Sequence, residues 1–574
     1  MAPRPSVKGV ADVVALIDSL SRIAGRARVI WFLVFGGLFL DAYSNAALSA
    51  GLGPMTTQME LSSTQISVLT ATAPALAIVF NPVGGWLATR IGRVPPLLLA
   101  KVFAVAGALL AAFAGDFSTV WLGRVLVGVA YGIDFAVAMA LLAEYTPAKF
   151  GGRLNLWQAV WYTATTSNLA LALVFFHLDV GADIWRWSVG SAAVVALALL
   201  VGQWLVLSES PTWLASKGRL EEAVTNLDRI YGIKAEAGTP DARTRAATAA
   251  PAIGMRQAGV LFRGEYLPRT ILSSVISLGQ SMQYFAVGWY LPVISLTIFG
   301  ESFEKATVGS MVFNAFGIAG GLASAYFGRK LGLRLSSAAG FAGVFVALLL
   351  MGLTFGRIPT AVAFLLPVAF ILCHSAGPGA NGKSIAALSY SSDVRALGTG
   401  VTGMVGSFGS VAGLYVFPQI KDSLGLGNTF LVLSVVPLLG LVTCLAIKWD
   451  PMRSGVSVDQ EGPAAPGAGG AHPPGGRARL RGRAGRRGVR VDVRCRGRRR
   501  HPPAVPARGR DVDLPRLALP APRGGDGGRL ARGVAVPPLS AGPPAEVGQG
   551  PADVRDGVRG SGGSGPVRGL GRHG

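Results

Sequence analysis

A chain of 574 residues that is 51% hydrophobic and only 14% charged has too few polar side chains to cover a water-soluble globule, for which roughly 25% charged is usual. A helix bundle in lipid needs polar groups only at its interfaces and inside a cavity, so hydrocarbon is the expected solvent for most of this chain. The net charge of +23 does not point to a nucleic-acid partner: more than half of the excess falls after Gly455 and the rest lies in loops between apolar runs, and Cys373, Cys444 and Cys495 form no CxxC pair or His/Cys cluster that would indicate a disulfide or a metal site.

In chain order, residues 1–28 contain the stretch ADVVALIDSL, whose apolar spacing predicts a short amphipathic helix lying on the inner leaflet. No small-residue cleavage site follows an early apolar core, so a cleaved leader is not expected. Crossing a hydrocarbon layer of about 30 Å takes roughly 20 apolar residues. Runs of that kind stand near 29–52, 66–88, 95–115, 118–143, 154–177 and 185–208. A polar central loop, 209–266, leads to a second group near 268–298, 304–327, 333–355, 360–388, 396–419 and 427–447. The expected fold class is an all-α membrane protein with twelve transmembrane helices in two six-helix halves, 29–208 and 267–450.

Lys and Arg in the short connections gather on one side, at Arg90, Arg93, Lys149, Arg153, Arg329, Lys330, Arg334, Arg395, Lys448 and Arg453. The opposite loops carry Glu60, Asp116, Asp179, Asp183, Glu301 and Glu304. The positive-inside rule makes the basic side cytoplasmic, with both ends of the bundle there, in the cell membrane. Residues 451–574 are rich in Arg, Gly and Pro, and after Gly455 there is no Lys, Ile, Phe, Tyr, Trp, Met, Asn or Thr. No apolar face can be assembled from such a stretch, and disorder is expected. It reads either as a tail held on anionic lipid or as a GC-rich gene segment translated out of frame.

The first basic-side turn of each half repeats: GGWLATRIGRV at 84–94 and GGLASAYFGRK at 320–330. Paired glycines let helices approach closely, and the basic residues anchor the turn while one half rocks against the other. Segment four carries Arg124, Gly128, Gly132, Glu144, Pro147 and Arg153, and SESPTWLASKGRLEEA follows segment six at 208–223. Together these motifs resemble the major facilitator superfamily, in its sugar porter branch and the related phosphate–proton symporters. The resemblance implies two pseudo-symmetric halves and gating roles for Gly85, Arg90, Gly92, Arg93, Glu144, Arg153, Glu209, Arg219, Gly328 and Arg329. The chain departs from the pattern at Thr89 and Ala325, where the turn usually carries Asp, and at Gly151 and Gly152, where a basic residue is usual.

Ionisable groups at mid-membrane cost at least about 2.5–3.5 kcal/mol and normally face a wet cavity or a partner. Asp41, in FGGLFLDAYSNAALSAG, stands where the resembled families carry a proton-binding Asp paired with the arginine matching Arg124; a fixed structural pair in a uniporter is the alternative. Asp134 lies roughly 15 Å along the helix from Arg124 and about 80° around it, so it cannot share that arginine's face. Its context resembles the phosphate symporters' cavity Asp, which implies a second proton or substrate site; a helix-to-helix hydrogen bond is the alternative. Gln280, Gln283 and Tyr284 share a face by i, i+3, i+4 spacing. Gln280 matches a sugar-binding Gln of the porters, although Phe285 replaces their Asn. Segment ten is interrupted by HSAGPGANGK at 374–383, and an unwound helix is tolerated where it lines a cavity. His374 and Asn381 lie about a heptad apart and are expected on one face. Lys383 either offers a positive charge to a carboxylate-bearing substrate or snorkels to the interface. The phosphate symporters' cavity Lys falls at Ser407, which argues against inorganic phosphate.

The expected function is proton-coupled uptake of a small polar metabolite, sugar-like or an organic acid, by a monomer with no cofactor and no metal. A proton-driven exporter, a passive facilitator and a non-transporting receptor or scaffold remain as alternatives. An enzyme is not expected, because no nucleophile–base pair, metal set or phosphate loop is present.

Overall fold

Apolar runs with polar punctuation become long helices because lipid leaves backbone N–H and C=O groups no other partner than the helix itself. The computed structural model describes residues 4–453, apart from 243, 246–254, 290–301 and 355, together with 458–459; the expectation for the rest of the tail lies outside the described residues. Helix α1 spans Val10–Asp18, α2 Gly25–Gln58, α3 Ser63–Ile91, α4 Val94–Ala112, α5 Phe117–Tyr145, α6 Leu156–His177 and α7 Ile184–Val206. Local chemistry sets the starts. Ser62 and Gln65 form a reciprocal capping box at α3, Pro95 occupies the first turn of α4, and Asp116 accepts from Thr119 N at α5. The expected central loop contains two further helices, α8 Pro211–Ser216 and α9 Leu220–Tyr231.

The second half begins with α10, Tyr266–Gln283, which continues as a π-helical turn over Tyr284–Gly288. The end of the expected seventh segment, 290–298, lies outside the described residues. Then come α11 Phe303–Leu331, α12 Leu333–Thr354, α13 Thr360–Ala376 and α14 Pro378–Ser389. A helical run from Arg395 to Ala446 breaks at Gly425, whose φ of 77° is readily adopted only by glycine. It supplies two crossings, α15 Arg395–Lys421 and α16 Ser423–Ala446, with the break in the first turn of α16. Among the described residues eleven spans are long and apolar enough to cross a membrane, with α13 and α14 sharing one of them. Helix α10 and its π-helical turn stand in the seventh place of the twelve-helix pattern.

Segment ten does break, at Gly377 between α13 and α14. The amphipathic helix α1 forms as expected, but its apolar face is not left for lipid. Val13 and Ile17 cluster with Trp213, Leu214, Leu220 and Leu227, so α8 and α9 cover it. The reason is that α9 has an apolar stripe of its own, Leu220, Ala223, Leu227 and Ile230, which needs burial on the same side of the bundle. A short parallel pairing of Ser6–Val7 with Glu236–Ala237 ties the N-terminal segment down.

The repeat is visible in three dimensions. Helix α3 ends at Gly92 (φ 104°) and α11 at Gly332 (φ 85°), the equivalent positions of the two glycine turns. Beside each turn stands an acid from just beyond the sixth helix of its half. Glu209 accepts from the backbone N–H of Arg93 (2.9 Å) and Val94 (3.2 Å), and Asp450 from that of Arg334 (2.9 Å). Both carboxylates satisfy orphan donors at a helix N-terminus, where the helix dipole favours negative charge. Between the halves, α3 packs on α15 and α6 on α11. Glycine makes these contacts possible: a Cβ at Gly85 would overlap the Ala396 carbonyl oxygen, and one at Gly321 the backbone of Ala159. Gly85→Val should lower stability by about 1–3 kcal/mol through overpacking, read as a fall in melting temperature in detergent. Gly53→Ala, with open space around its Cβ position, should not lower it.

Candidate functional site

Three ionisable side chains from three helices meet inside the first half. Asp41 of α2, Lys101 of α4 and Asp134 of α5 are 6%, 1% and 1% exposed. Lys101 Nζ donates to Asp134 Oδ1. Gly37 sits one turn before Asp41, and a Cβ there would come within 2.6 Å of Asp134 Oδ2 and 3.0 Å of Lys101 Nζ. The missing side chain makes the room for the pair. Asp41 Oδ2 has no hydrogen-bond partner, and the charged groups it feels are Asp134 and Lys101.

The Asp41–Arg124 pair implied by the family resemblance is not formed in this structure. Arg124 is 3% exposed, and its Nη1 and Nη2 donate to Ser44 O (3.4 Å) and to Asn45 Oδ1 (3.5 Å), close to a turn further along α2. Lys101 supplies the positive charge near Asp41 instead. Sequence reading missed Lys101, although a single Lys in the apolar run VPPLLLAKVFAVAGALLAA is the same signal that singled out Asp41.

Between the halves lies a narrow inner cavity. Tyr131, Phe135, Trp157, Trp161, Tyr284 and Phe285 form its aromatic wall, and Gln158, Gln280, Ser281, Lys383, Ser407 and Ser410 its polar one. An outer cavity of about 460 Å³, farther from the basic turns, is lined by Asn45, Ser49, Thr165, Ser310 and Asn314 among others. Trp161 and Tyr284 belong to both walls, and Trp161 Nε1 donates to Tyr284 Oη at 3.0 Å, so this pair partitions the path. Asp41 itself lines neither cavity. It lies one turn from Asn45 on the outer wall, and within electrostatic range of Tyr131 on the inner wall.

The substrate-binding expectations divide. Gln280, Tyr284 and Lys383 line the inner cavity. Gln280 Nε2 donates to Ser281 Oγ (2.6 Å) and Ser277 O (3.3 Å). Gln283 is fully buried off the cavity wall, with neither amide atom hydrogen-bonded. His374 is stacked between Tyr284 (6.0 Å) and Phe370 (5.9 Å) behind the partition. Asn381 does not share its face, because the break at Gly377 rephases α14. The Asn381 carboxamide is committed to protein: Nδ2 donates to Leu333 O, Ser336 Oγ and Ser337 Oγ, and Oδ1 accepts from Asn155 Nδ2 at 2.6 Å. It fastens helices and is turned away from the cavity.

Toward the basic turns the two halves are closed on each other by hydrogen bonds in layers. Trp157 Nε1 donates to Ala380 O (2.9 Å), Thr399 Oγ1 to Ala136 O (3.0 Å) and Asn81 Nδ2 to Ser407 Oγ (3.2 Å). Below them is a charge layer. Arg93 donates through Nη2 to Glu144 Oε1 (2.6 Å) and to Ser392 O (2.8 Å), and Arg395 Nη1 lies 3.5 Å from the same Glu144 oxygen. Asp459 takes the other side of Arg395, accepting from Nη2 at 2.6 Å, and also from Ser392 N at 2.7 Å. Neither Arg395 nor Asp459 was among the sequence candidates for gating.

The other gating candidates distribute around this layer. Burial pushes the Glu209 carboxyl above its ordinary range, while the N–H donors of Arg93, Ser210 and Val94 and the Arg93 charge pull it back. Arg90 and Arg153 lie over the rings of Trp86 (5.2 Å) and Phe150 (4.4 Å). Gly328 leaves room for Asn155 Nδ2, and Gly152 for the backbone of Ala325 and Arg329. Arg219 is not part of the closure: it is half-exposed and pairs with Glu222 one turn along its own helix. Thr89 Oγ1 turns back to Gly85 O, so the latch here is built from Arg93, Glu144 and Arg395. Glu144→Gln should strip the counter-charge from Arg93 and cost on the order of 3–5 kcal/mol of the closed state. With the native cysteines replaced, the expected result is faster labelling of Ser407→Cys from the basic side by a membrane-impermeant thiol reagent.

Residues 36–447, covering both halves, match the sequence profile of the family described as Sugar (and other) transporter. The chain is 28% identical over 430 residues to the inner membrane metabolite transport protein YgcS of Escherichia coli (strain K12), covering 73% of this chain and 90% of that one. It is 31% identical over 252 residues to H(+)/hexose cotransporter 1 of Parachlorella kessleri, covering 43% of this chain and 46% of that one. Its fold is similar to that of the proton:xylose symporter XylE from E. coli, with a TM-score of 0.64 at 16% identity over 75% of this chain and 97% of that one. With its paired glycine turns, two helical halves and a cavity between them, the chain belongs to the sugar (and other) transporter family of the major facilitator superfamily, and is a multi-pass membrane transporter of small molecules rather than an enzyme.

Proposed function

We propose that the protein is a proton symporter that takes up a small polar metabolite, a sugar-like compound or an organic acid, by alternating access between halves 29–208 and 267–450. The observation that carries this reading is the charge count of the Asp41–Lys101–Asp134 cluster: two carboxylates face one ammonium in a region shielded from water. One negative charge is left over, and a charge buried without a counter-ion in a bundle interior is costly. A proton on Asp41 balances the cluster, because Asp134 is already held by Lys101. In this reading Asp41 exchanges that proton with the cavities, neither of which it lines; its position one turn from Asn45 and within electrostatic range of Tyr131 supports this.

In the arrangement described, the basic side is sealed by the layers around Arg93 and Glu144. The basic side is the cytoplasmic one in this scheme, with both ends of the bundle inside the cell. Substrate binds against Gln280, Tyr284 and Lys383, the Trp161–Tyr284 partition stands between it and the outer cavity, and separation of α3 from α15 opens the inner exit. The names of two relatives, a proton:xylose symporter and an H(+)/hexose cotransporter, support the coupling. The protein acts as a monomer with no cofactor or nucleic-acid partner.

The test uses proteoliposomes, an imposed inward proton gradient and a labelled panel of D-xylose, D-glucose, myo-inositol and D-gluconate. At least one solute should accumulate above equilibrium in the wild type. Asp41→Asn should cut that accumulation at least about tenfold, the equivalent of 1.4 kcal/mol of lost coupling, while exchange of the same solute across the membrane continues. Accumulation that is unchanged in Asp41→Asn would remove the proton from that residue.

A further inference from the structure

The inner cavity contains one fixed charge, and it is positive. Lys383 stands in the second turn of α14 with its Nζ 4.7 Å from the centroid of the Phe135 ring. It lines the cavity, and among the described residues no carboxylate is paired with it. The carboxylates described inside the bundle are all placed elsewhere. Asp134 is held by Lys101, Asp41 stands beside that pair, and Glu144 lies between Arg93 and Arg395. The ammonium stands over the Phe135 face, and the rest of the cavity wall is neutral, with the amides of Gln158 and Gln280 and serine hydroxyls as its polar groups. Gly406 keeps space beside it, since a Cβ there would be 3.4 Å from both Lys383 Nζ and Ser281 Oγ.

We propose that the substrate is a small organic anion, a monocarboxylate whose charged group binds Lys383 while its body packs on Trp157, Trp161 and Tyr284. This rests on the reading of the inner cavity as the substrate site of a proton symporter. A cation inside a bundle normally has a partner, and here the cavity offers that place to the solute. One ammonium without an arginine fork suits a single carboxylate better than a phosphate dianion. The charge balance agrees. With a carboxylate on Lys383 and a proton on Asp41, the Lys383 site and the Asp41–Lys101–Asp134 cluster are each neutral. A neutral sugar would leave Lys383 uncompensated while the proton added a further positive charge.

Intrinsic fluorescence in detergent, reported by Trp157 and Trp161 in the cavity wall, tests this with matched pairs: D-glucuronate against D-glucose, and benzoate against benzyl alcohol. In at least one pair the acid should bind roughly ten- to a hundredfold more tightly than its neutral partner, the range expected for a hydrogen bond to a charged group. Lys383→Gln should erase that preference and Lys383→Arg should keep it, at melting temperatures close to wild type. The proposal is overturned if the neutral member binds as well as the acid, if the preference survives Lys383→Gln, or if neither acid binds. The outcomes separate the two readings. Acid preference without gradient-driven accumulation defeats symport alone, whereas gradient-driven accumulation of D-glucose without acid preference defeats the anion alone.

Discussion

The organisation of the first half follows from one constraint, the burial of an ion pair and an extra carboxylate inside the bundle. Lys101 and Asp134 satisfy each other, and Gly37 has to be glycine-sized so that α2 can come close enough to bring Asp41 beside them. Burying ions costs several kcal/mol each even after relaxation, and in this cluster the Lys101–Asp134 pair offsets part of that cost. Arg124 obeys the same rule differently. It is held by the Ser44 carbonyl and the Asn45 side chain of α2, so one helix carries both the titratable carboxyl and the groups that restrain the nearby cation.

Each half is tied internally by the same device. Glu209 and Asp450 pin the start of the third helix to the end of the sixth, in places related by the internal repeat. Those carboxylates bond within a half and leave the inter-half surface free. Contact between halves is made by glycine-spaced backbone approach and a limited set of hydrogen bonds, together with the Arg93–Glu144–Arg395 layer. Close packing makes each half resist deformation, and the seam between them is where few bonds must break at once. That is the mechanical requirement of a rocking transporter.

How much of this was legible in the sequence depended on the range of the interaction. Lipid forces apolar segments to a fixed length, so the crossings could be read directly, and the repeated glycine turn announced the pseudo-symmetry. Asp41 and Asp134 stood out because an acid in an apolar run must have a reason. Their partner did not, since helix periodicity says which face a residue occupies but not which helix faces it, and Lys101 was passed over in favour of Arg124. The heptad argument for His374 and Asn381 failed on a local event: Gly377 interrupts the helix, and spacing across a break carries no phase. The apolar face of α1 was legible too. That α9 would cover it was not, because α9 arises within a segment whose overall polarity hid its stripe.

The same break gives the second half its economy. Helix α14 is only 12 residues long, and within three consecutive positions it places Asn381 on Asn155 of the other half and Lys383 in the cavity wall. Its neighbour Ala380 accepts from Trp157, which is itself part of that wall. On the proposed reading, a solute bound at Lys383 would pull on the short helix that also bonds to the other half, two residues from Asn381. A ligand can shift a conformational equilibrium only through contacts that differ between the states. Opening of the seam would separate α14 from Asn155 and Trp157 on one side while Lys383 stays with its own half. On that reading the energy of substrate binding and the energy of closure would be carried by neighbouring residues, and occupancy of the cavity would bias which side of it is open.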